Sequence, residues 1–340
     1  MNYEEIRQAA KGRTQKCRVC RICDGKACAG EIPGVGGKGT GSSFIRNAEA
    51  LKNVRLRMNA LTGIVKADTS ADFFGHPVSL PVYAAPITGM KPQYGCEFTE
   101  KEYAQVVLEG SRLAGTYAFT GDGKDLSFFK DPLDVMDETG FEGIPTMKPW
   151  EKKGRDIRTD LLKGRNLLAL ATDIDAAGLL FLRDADPKIT NLSPEDLTDL
   201  KKMIAPAPLI VKGIMTPESA LAAIKAGADA IVVSNHGGRV LDDAQGTVEV
   251  LKEIADAING ACKIFVDGGF RTGADVFKAL ALGADGVLIG RPVVIAALGN
   301  GSEGVKTYFE KIRTELTEVM IMCGASNIQE INSSMIHEIK

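Results

Sequence analysis

The chain has 340 residues, with 41 lysines and arginines against 44 aspartates and glutamates, a formal net charge of −3 and no long run of either sign. Such a balance excludes a basic nucleic-acid surface or a polybasic membrane contact, and 44% hydrophobic with 25% charged residues excludes a disordered or fibrous chain. No apolar stretch approaches the ~18 residues of a bilayer span, and Met1 to Arg18 carries no apolar signal core, so a cytoplasmic location is expected.

Residues 1–80 read as an extension. They hold a short helix, four of the seven cysteines (Cys17, Cys20, Cys23 and Cys28), a glycine-rich loop from Glu31 to Gly41, and the segment Ser43–Ala60. In a reducing compartment such crowded cysteines point to thiols or metal ligands, not to a disulfide framework. From residue 81 onward, eight short apolar runs alternate with helical patterns: Pro81–Ile87, Gly115–Thr120, Gly143–Pro149, Asn166–Thr172, Pro208–Gly213, Ala230–Gly237, Lys263–Gly269 and Asp285–Arg291. Most lack strict polar alternation, as strands buried on both faces require. Their starts lie 22 to 42 residues apart, near the ~31 per unit of a 250-residue eight-fold barrel. Between them, Pro217–Ala226 has Thr216 as N-cap and Gly227 as its stop, and Gly273–Leu282 ends at Gly283.

The expected fold is a parallel (β/α)8 TIM barrel over 81–325, closed by an amphipathic helix at 305–324 and followed by a tail over 326–340. A doubly wound sheet is the alternative. It should follow its first strand with Gly-x-Gly-x-x-Gly, where this chain has Thr88-Gly89-Met90-Lys91.

A barrel of this kind builds its site at the C-terminal ends of its strands. Those ends carry Lys212, the run Ser234-Asn235-His236-Gly237-Gly238-Arg239, then Asp267-Gly268-Gly269 with Arg271, and Gly290-Arg291. Charged groups at the ends of buried strands are costly unless they are used. Glycines admit backbone N–H groups close to phosphate oxygens, and arginines add bidentate bonds, so the last two ends suit a phosphate. His236 is the one histidine of three (76, 236 and 337) that ends a predicted strand in a glycine-flanked motif. An imidazole titrating near neutrality suits a general base.

These motifs, with Val211-Lys212-Gly213, Leu241-Asp242 and Gly290-Arg291-Pro292, resemble the FMN-dependent 2-hydroxy acid oxidases and dehydrogenases, the family of glycolate oxidase and lactate oxidase. The resemblance is strong over about 205–325 and weaker over 55–180. It implies bound FMN and oxidation of a small 2-hydroxy acid, with His236 as base, Arg239 as carboxylate clamp and Lys212 beside the flavin. It also implies an aspartate orienting the histidine, for which Asp173 aligns best and Asp175 second. Pro86-Ile87-Thr88 resembles the family's flavin contact after the first strand. Gly121 and Lys148 occupy further flavin-facing positions, Lys148 reaching the substrate. Ser234, Gly237, Asp267, Gly268, Gly269, Arg271, Gly290 and Arg291 complete the implied cofactor set. By the same resemblance the protein is a homo-oligomer, a tetramer in many relatives.

The chain departs from the family too. Where a second substrate arginine is expected it has Ala176-Ala177-Gly178, and the third-strand motif reads Met147-Lys148-Pro149-Trp150. The cysteine run Cys17-x2-Cys20-x2-Cys23-x4-Cys28 resembles an iron–sulfur or zinc ligand set, and the glycine loop after it is long enough to cover the barrel mouth. Two other readings stay open. One is an FMN-dependent isomerase on the same barrel, resembling the type 2 isopentenyl diphosphate isomerases. The other is a flavin- or metal-containing redox sensor.

Overall fold

The computed structural model describes residues 1–182 and 184–338. Position 183 of the expected barrel and positions 339 and 340 of the expected tail lie outside them. The centre is a ring of eight parallel strands: β1 (Val82–Ala84), β2 (Phe119–Thr120), β3 (Ile144–Met147), β4 (Leu170–Asp173), β5 (Leu209–Ile214), β6 (Ala230–Val233), β7 (Lys263–Val266) and β8 (Gly286–Ile289). They pair in the order β1-β8-β7-β6-β5-β4-β3-β2, and a parallel bridge between Ala84 and Ala118 closes the ring. Each expected apolar run carries one of these strands, β4 and β5 ending one residue late.

Side chains alternate across each strand, and the alternation sorts the core into two shells. Tyr83, Phe119, Ile144, Ala171, Ile210, Val232, Phe265 and Leu288 form an inward layer. Their neighbours Val82, Leu170, Val211, Ile231, Val266 and Val287 pack outward with the helices. A hairpin of Ala71–Phe73 and His76–Val78 plugs one end of the barrel. Phe73 sets its ring 5.1 Å from Tyr83 and 5.7 Å from Phe265, a fully buried aromatic contributing on the order of 1.5–3 kcal/mol. The next inward position on each strand, two residues further on, opens at the other end of the barrel. That end is where the site lies.

Ten helices surround the ring among the described residues, from α1 (Tyr3–Ala9) and α2 (Ser42–Asn53) to α7 (Pro217–Lys225), α8 (Thr247–Ile258), α9 (Gly273–Ala281) and α10 (Arg291–Cys323). The N-cap of α7 is Thr216, accepting from Ser219 N, with Pro217 in the first turn. Two helical stretches make up α10: the first follows Gly290 directly, and the closing one begins beyond Asn300 and Gly301, where the backbone leaves helical geometry, close to the expected 305. Beyond the break, Val305, Phe309, Ile312, Leu316 and Met320 are buried and Val319 is half-buried. The tail returns as Ile336–Glu338, paired antiparallel with Val54–Leu56. No helix among the described residues is long and apolar enough to cross a membrane.

Helix α2 lies close against the strand ends. Gly269 has φ +91, and a Cβ there would sit 2.5 Å from Asn47 O and 2.7 Å from Asn47 C. Both the backbone region and the space require glycine. Gly269→Ala should therefore destabilise the fold by about 1–3 kcal/mol, read as a lower urea midpoint at unchanged slope. An unchanged midpoint would show that α2 can move away without cost.

Candidate active site

The inward positions beyond the core layer are Ala85, Gly121, Thr146, Asp173, Lys212, Ser234, Asp267 and Gly290. All except Ser234 line one cavity of about 570 Å³, together with Pro86, Ile87, Thr88, Lys148, His236, Gly237, Arg239, Gly268, Gly269, Arg271 and Arg291. The strand register places Asp173 of β4 directly beside Lys212 of β5. Lys212 Nζ lies 3.0 Å from Asp173 Oδ1 and 3.5 Å from Asp267 Oδ2, and Lys148 Nζ lies 3.4 Å from Asp173 Oδ2. Burial opposes the charge on Lys212, but Asp173, Asp267 and Asp175 outweigh it and hold the ammonium above its ordinary pKa. Burial likewise pushes the Asp173 carboxyl up, while His236, Lys212 and Lys148 hold it well below the usual carboxylate range. Asp173 and Lys212 are thus a charged pair on the cavity floor.

His236 follows β6 in a left-handed conformation, φ 58, uncommon for a residue with a side chain. Its N–H donates to Ser234 Oγ at 3.0 Å, and its Nδ1 lies 2.9 Å from Asp175 Oδ1 and 3.5 Å from Asp173 Oδ1. The expected order of the two aspartates is reversed. Asp173 ends β4 within the lysine layer, and its oxygens are engaged there. Asp175 sits one turn later, in the 3₁₀ segment Ile174–Gly178, in space left by Gly213, where a Cβ would lie 2.7 Å from Asp175 Cβ. Burial raises the Asp175 carboxyl above its ordinary value, with His236 and Lys212 pulling it back only in part. Ser234, expected at the cofactor, is fully buried beneath the loop, its Oγ accepting from the His236 N–H.

The N-terminal extension reaches into this region. Asn47 of α2 exchanges side-chain hydrogen bonds with Asn235 at 2.8 and 3.0 Å. Asp242 accepts from Thr40 N at 2.6 Å and Ser42 N at 3.1 Å, fixing the start of α2. Lys38 Nζ donates to Val240 O at 2.7 Å. Part of the glycine motif serves this docking, since a Cβ on Gly238 would collide with the Phe44 backbone.

The three arginines are not free. Arg239 donates to Gly34 O at 2.5 Å and to Gln93 Oε1. Burial, with Arg291 nearby, lowers it to about 10, still a cation at neutral pH. Arg291 donates to Val35 O at 2.7 Å and to Gly36 O and Gly237 O at 3.2 Å, its guanidinium 3.8 Å over the Phe44 ring. Arg271 donates to Cys23 O at 3.2 Å and Cys23 Sγ at 3.6 Å. Cys17, Cys20, Cys23 and Cys28 are free and half-buried. No three of their sulfurs lie within 4.8 Å of one another among the described residues; the one group that close is Asp173, Asp175 and His236. A single zinc ion has no ready-made tetrahedron here.

Sequence reasoning passes over the far wall. Asp122 Oδ2 accepts from Trp150 Nε1 at 2.5 Å, Arg158 Nε at 2.7 Å and Lys148 N at 3.1 Å, and Arg158 stacks 4.2 Å over the Trp150 ring. The only sequence signal was an aspartate just past the second strand. Phe128, Leu179, Phe181 and Leu182 add apolar lining to the cavity.

Comparison with known proteins accounts for the arrangement. The model of a family described as FMN-dependent dehydrogenase matches residues 35–105 and 161–338. The chain is 32% identical over 325 residues to 4-hydroxymandelate oxidase of Amycolatopsis orientalis, covering 86% of this chain and 89% of that enzyme. It is 31% identical over 336 residues to glycolate oxidase of Spinacia oleracea, covering 86% and 87%. A crystal structure of the putative lactate oxidase of Pediococcus acidilactici superposes with a TM-score of 0.80 at 27% identity, covering 100% of this chain and 95% of that one. With its barrel, its strand-end charges and a matched span well over half its length, the chain belongs to the FMN-dependent dehydrogenase family and is an FMN-dependent 2-hydroxy acid oxidoreductase.

Proposed function

We propose that this chain oxidises a small 2-hydroxy acid to the 2-oxo acid with His236 as the base. The His236–Asp175 pair at the cavity edge carries this reading. The cavity suits FMN on its own features. Its volume lies within the ~300–1,000 Å³ of ligand sites. Asp267 Oδ1 and Thr146 Oγ1 line it as buried polar atoms with no hydrogen-bond partner among the described residues, and such atoms call for a polar ligand. Lys212, Asp267, Gly268, Gly269, Arg271, Gly290 and Arg291 would hold the cofactor, Arg291 exchanging its present carbonyl partners for the FMN phosphate. FMN, when bound, accepts the two electrons and the hydrogen leaving the substrate carbon.

The chain's own residues supply the rest. With Nδ1 held by Asp175, Nε2 is the His236 nitrogen left to take the hydroxyl proton. The imidazolium so formed faces two carboxylates, which lowers the cost of its charge. Arg239 would bind the substrate carboxylate after leaving Gly34 O and Gln93, and Lys148 brings a second cation to the same pocket. Relatives carry the names of glycolate, lactate and hydroxymandelate oxidases. The apolar lining of Phe128, Leu179, Phe181 and Leu182 favours an acid with an apolar side chain over glycolate.

Anaerobic titration of the flavin-loaded protein with a panel of 2-hydroxy acids tests this. At least one should bleach the flavin, and Arg239→Lys should raise its KM by at least about tenfold, because an ammonium cannot reproduce the planar two-point grip. Failure of every acid to reduce the flavin sinks the proposed activity.

A further inference from the structure

We propose that Cys17, Cys20, Cys23 and Cys28 ligate an iron–sulfur cluster seated beside Arg271 at the rim of the barrel. The barrel chemistry does not use this segment, and none of the four cysteines lines the cavity. Packing accounts for only some of them: Cys17 and Cys28 rest against the core, but all four in the run are only half-buried, where Cys96 and Cys323 are 6% and 4% exposed. The segment has almost no regular structure, its one element being the short turn Lys26–Cys28. It is nevertheless pinned: Arg7 Nη1 donates to Val19 O at 2.8 Å, and Gly25 lies so close to the Phe44 ring that a Cβ would come within 2.6 Å. The loop that carries the four thiols is therefore fixed at two points, its cysteines separated by two, two and four residues.

The arrangement of the sulfurs fits a cluster better than a single ion. Zn–S bonds of ~2.3 Å in a tetrahedron set the sulfurs about 3.8 Å apart, and no three of these reach even 4.8 Å. In a four-iron cluster each thiolate binds a different iron, so the ligand sulfurs stand farther apart than around one ion. The first three cysteines have the C-x2-C-x2-C spacing of cluster-binding runs. Charge agrees with that choice. A cluster held by four thiolates is anionic, and Arg271 turns its Nε and Nη2 to Cys23 O and Sγ, with no carboxylate in ion-pair range among the described residues. Hydrogen bonds to ligand sulfurs of this type tune such clusters. The fourth spacing, x4 before Cys28 with Ala29 after it, departs from the bacterial ferredoxin run and places Cys28 next to the glycine loop, where Glu31 N donates to Cys28 O at 3.3 Å.

The test counts metal and sulfide, independently of flavin and turnover. Full-length protein incubated anaerobically with ferrous iron and sulfide should hold about four of each per chain and give a cluster EPR signal after dithionite. Cys20→Ser should lose both, while Cys262→Ser, altered in the loop before β7, should keep them. Alkylation of the loaded wild-type chain should spare Cys17, Cys20, Cys23 and Cys28, which also decides the matter if Cys20→Ser fails to fold. Equal iron in wild type and Cys20→Ser, zinc without sulfide, or unprotected thiols after reconstitution would each overturn the cluster. Flavin reduction by a hydroxy acid is a separate readout, so failure of the barrel chemistry and failure of this site are distinguishable.

Discussion

Replacing His236 with alanine should leave flavin bound and slow its reduction by the substrate at least ~100-fold, the lower end for a lost general base. The proposed cofactor set lies on β5, β7 and β8 and the loops after them, so the flavin content of His236→Ala should match wild type. The deficit should appear in the rate of anaerobic flavin bleaching at saturating acid, which separates proton removal from binding. Asp175→Asn is the informative companion. It keeps a group at the 2.9 Å contact with Nδ1 but removes the charge that steadies the imidazolium, and it should slow the same step with little change in KM. Asp173→Asn acts differently, because it removes the nearer of the two carboxylates beside Lys212 and leaves only Asp267 at 3.5 Å, and it should weaken flavin retention as well. Wild-type bleaching by His236→Ala would remove the histidine from the chemistry.

The eight strands were legible because a strand buried on both faces must be a short continuous apolar run, and turn residues bounded each run. The strand-end charges were legible for a related reason: Lys212 or Asp267 directly after Val211 or Val266 has no apolar partner, so it marks the end of burial. The choice between Asp173 and Asp175 was not legible. Two aspartates with one residue between them lie on the same face of an extended strand, and only the 3₁₀ turn and the space at Gly213 separate their positions. Nor did the sequence show that Arg239, Arg271 and Arg291 meet backbone carbonyls and Cys23, contacts that cross 146 to 256 residues of chain. The glycines had two explanations with one signature. Gly268 lines the cavity, while Gly238 makes room for α2, and a glycine in a sequence does not reveal which neighbour approaches it.

Asp122→Ala should destabilise the protein by about 3–5 kcal/mol, the cost of leaving a buried partner charge unpaired. Asp122 and Arg158 are each 2% exposed, and one oxygen of Asp122 takes the Arg158 Nε, the Trp150 indole and the Lys148 N–H. Removing that oxygen strands a guanidinium and two N–H donors where water cannot reach them. A double change, Asp122→Leu with Arg158→Met, should recover much of the loss, since a buried ion pair replaced by apolar groups of similar volume is often neutral. Urea unfolding of the two variants checks both halves of the claim, and a loss under about 1 kcal/mol in the single variant would place the pair in contact with solvent. The position of this cluster adds weight to it. Residues 106–160, the span left between the two matched family segments, contain β2 and β3 and therefore the wall formed by Asp122, Lys148 and Trp150. Asp122 also anchors the backbone of Lys148, whose ammonium lies 3.4 Å from Asp173 at the end of β4. Loss of Asp122 should thus change substrate preference in whatever fraction still folds, with the larger KM change for acids whose carboxylate depends on Lys148.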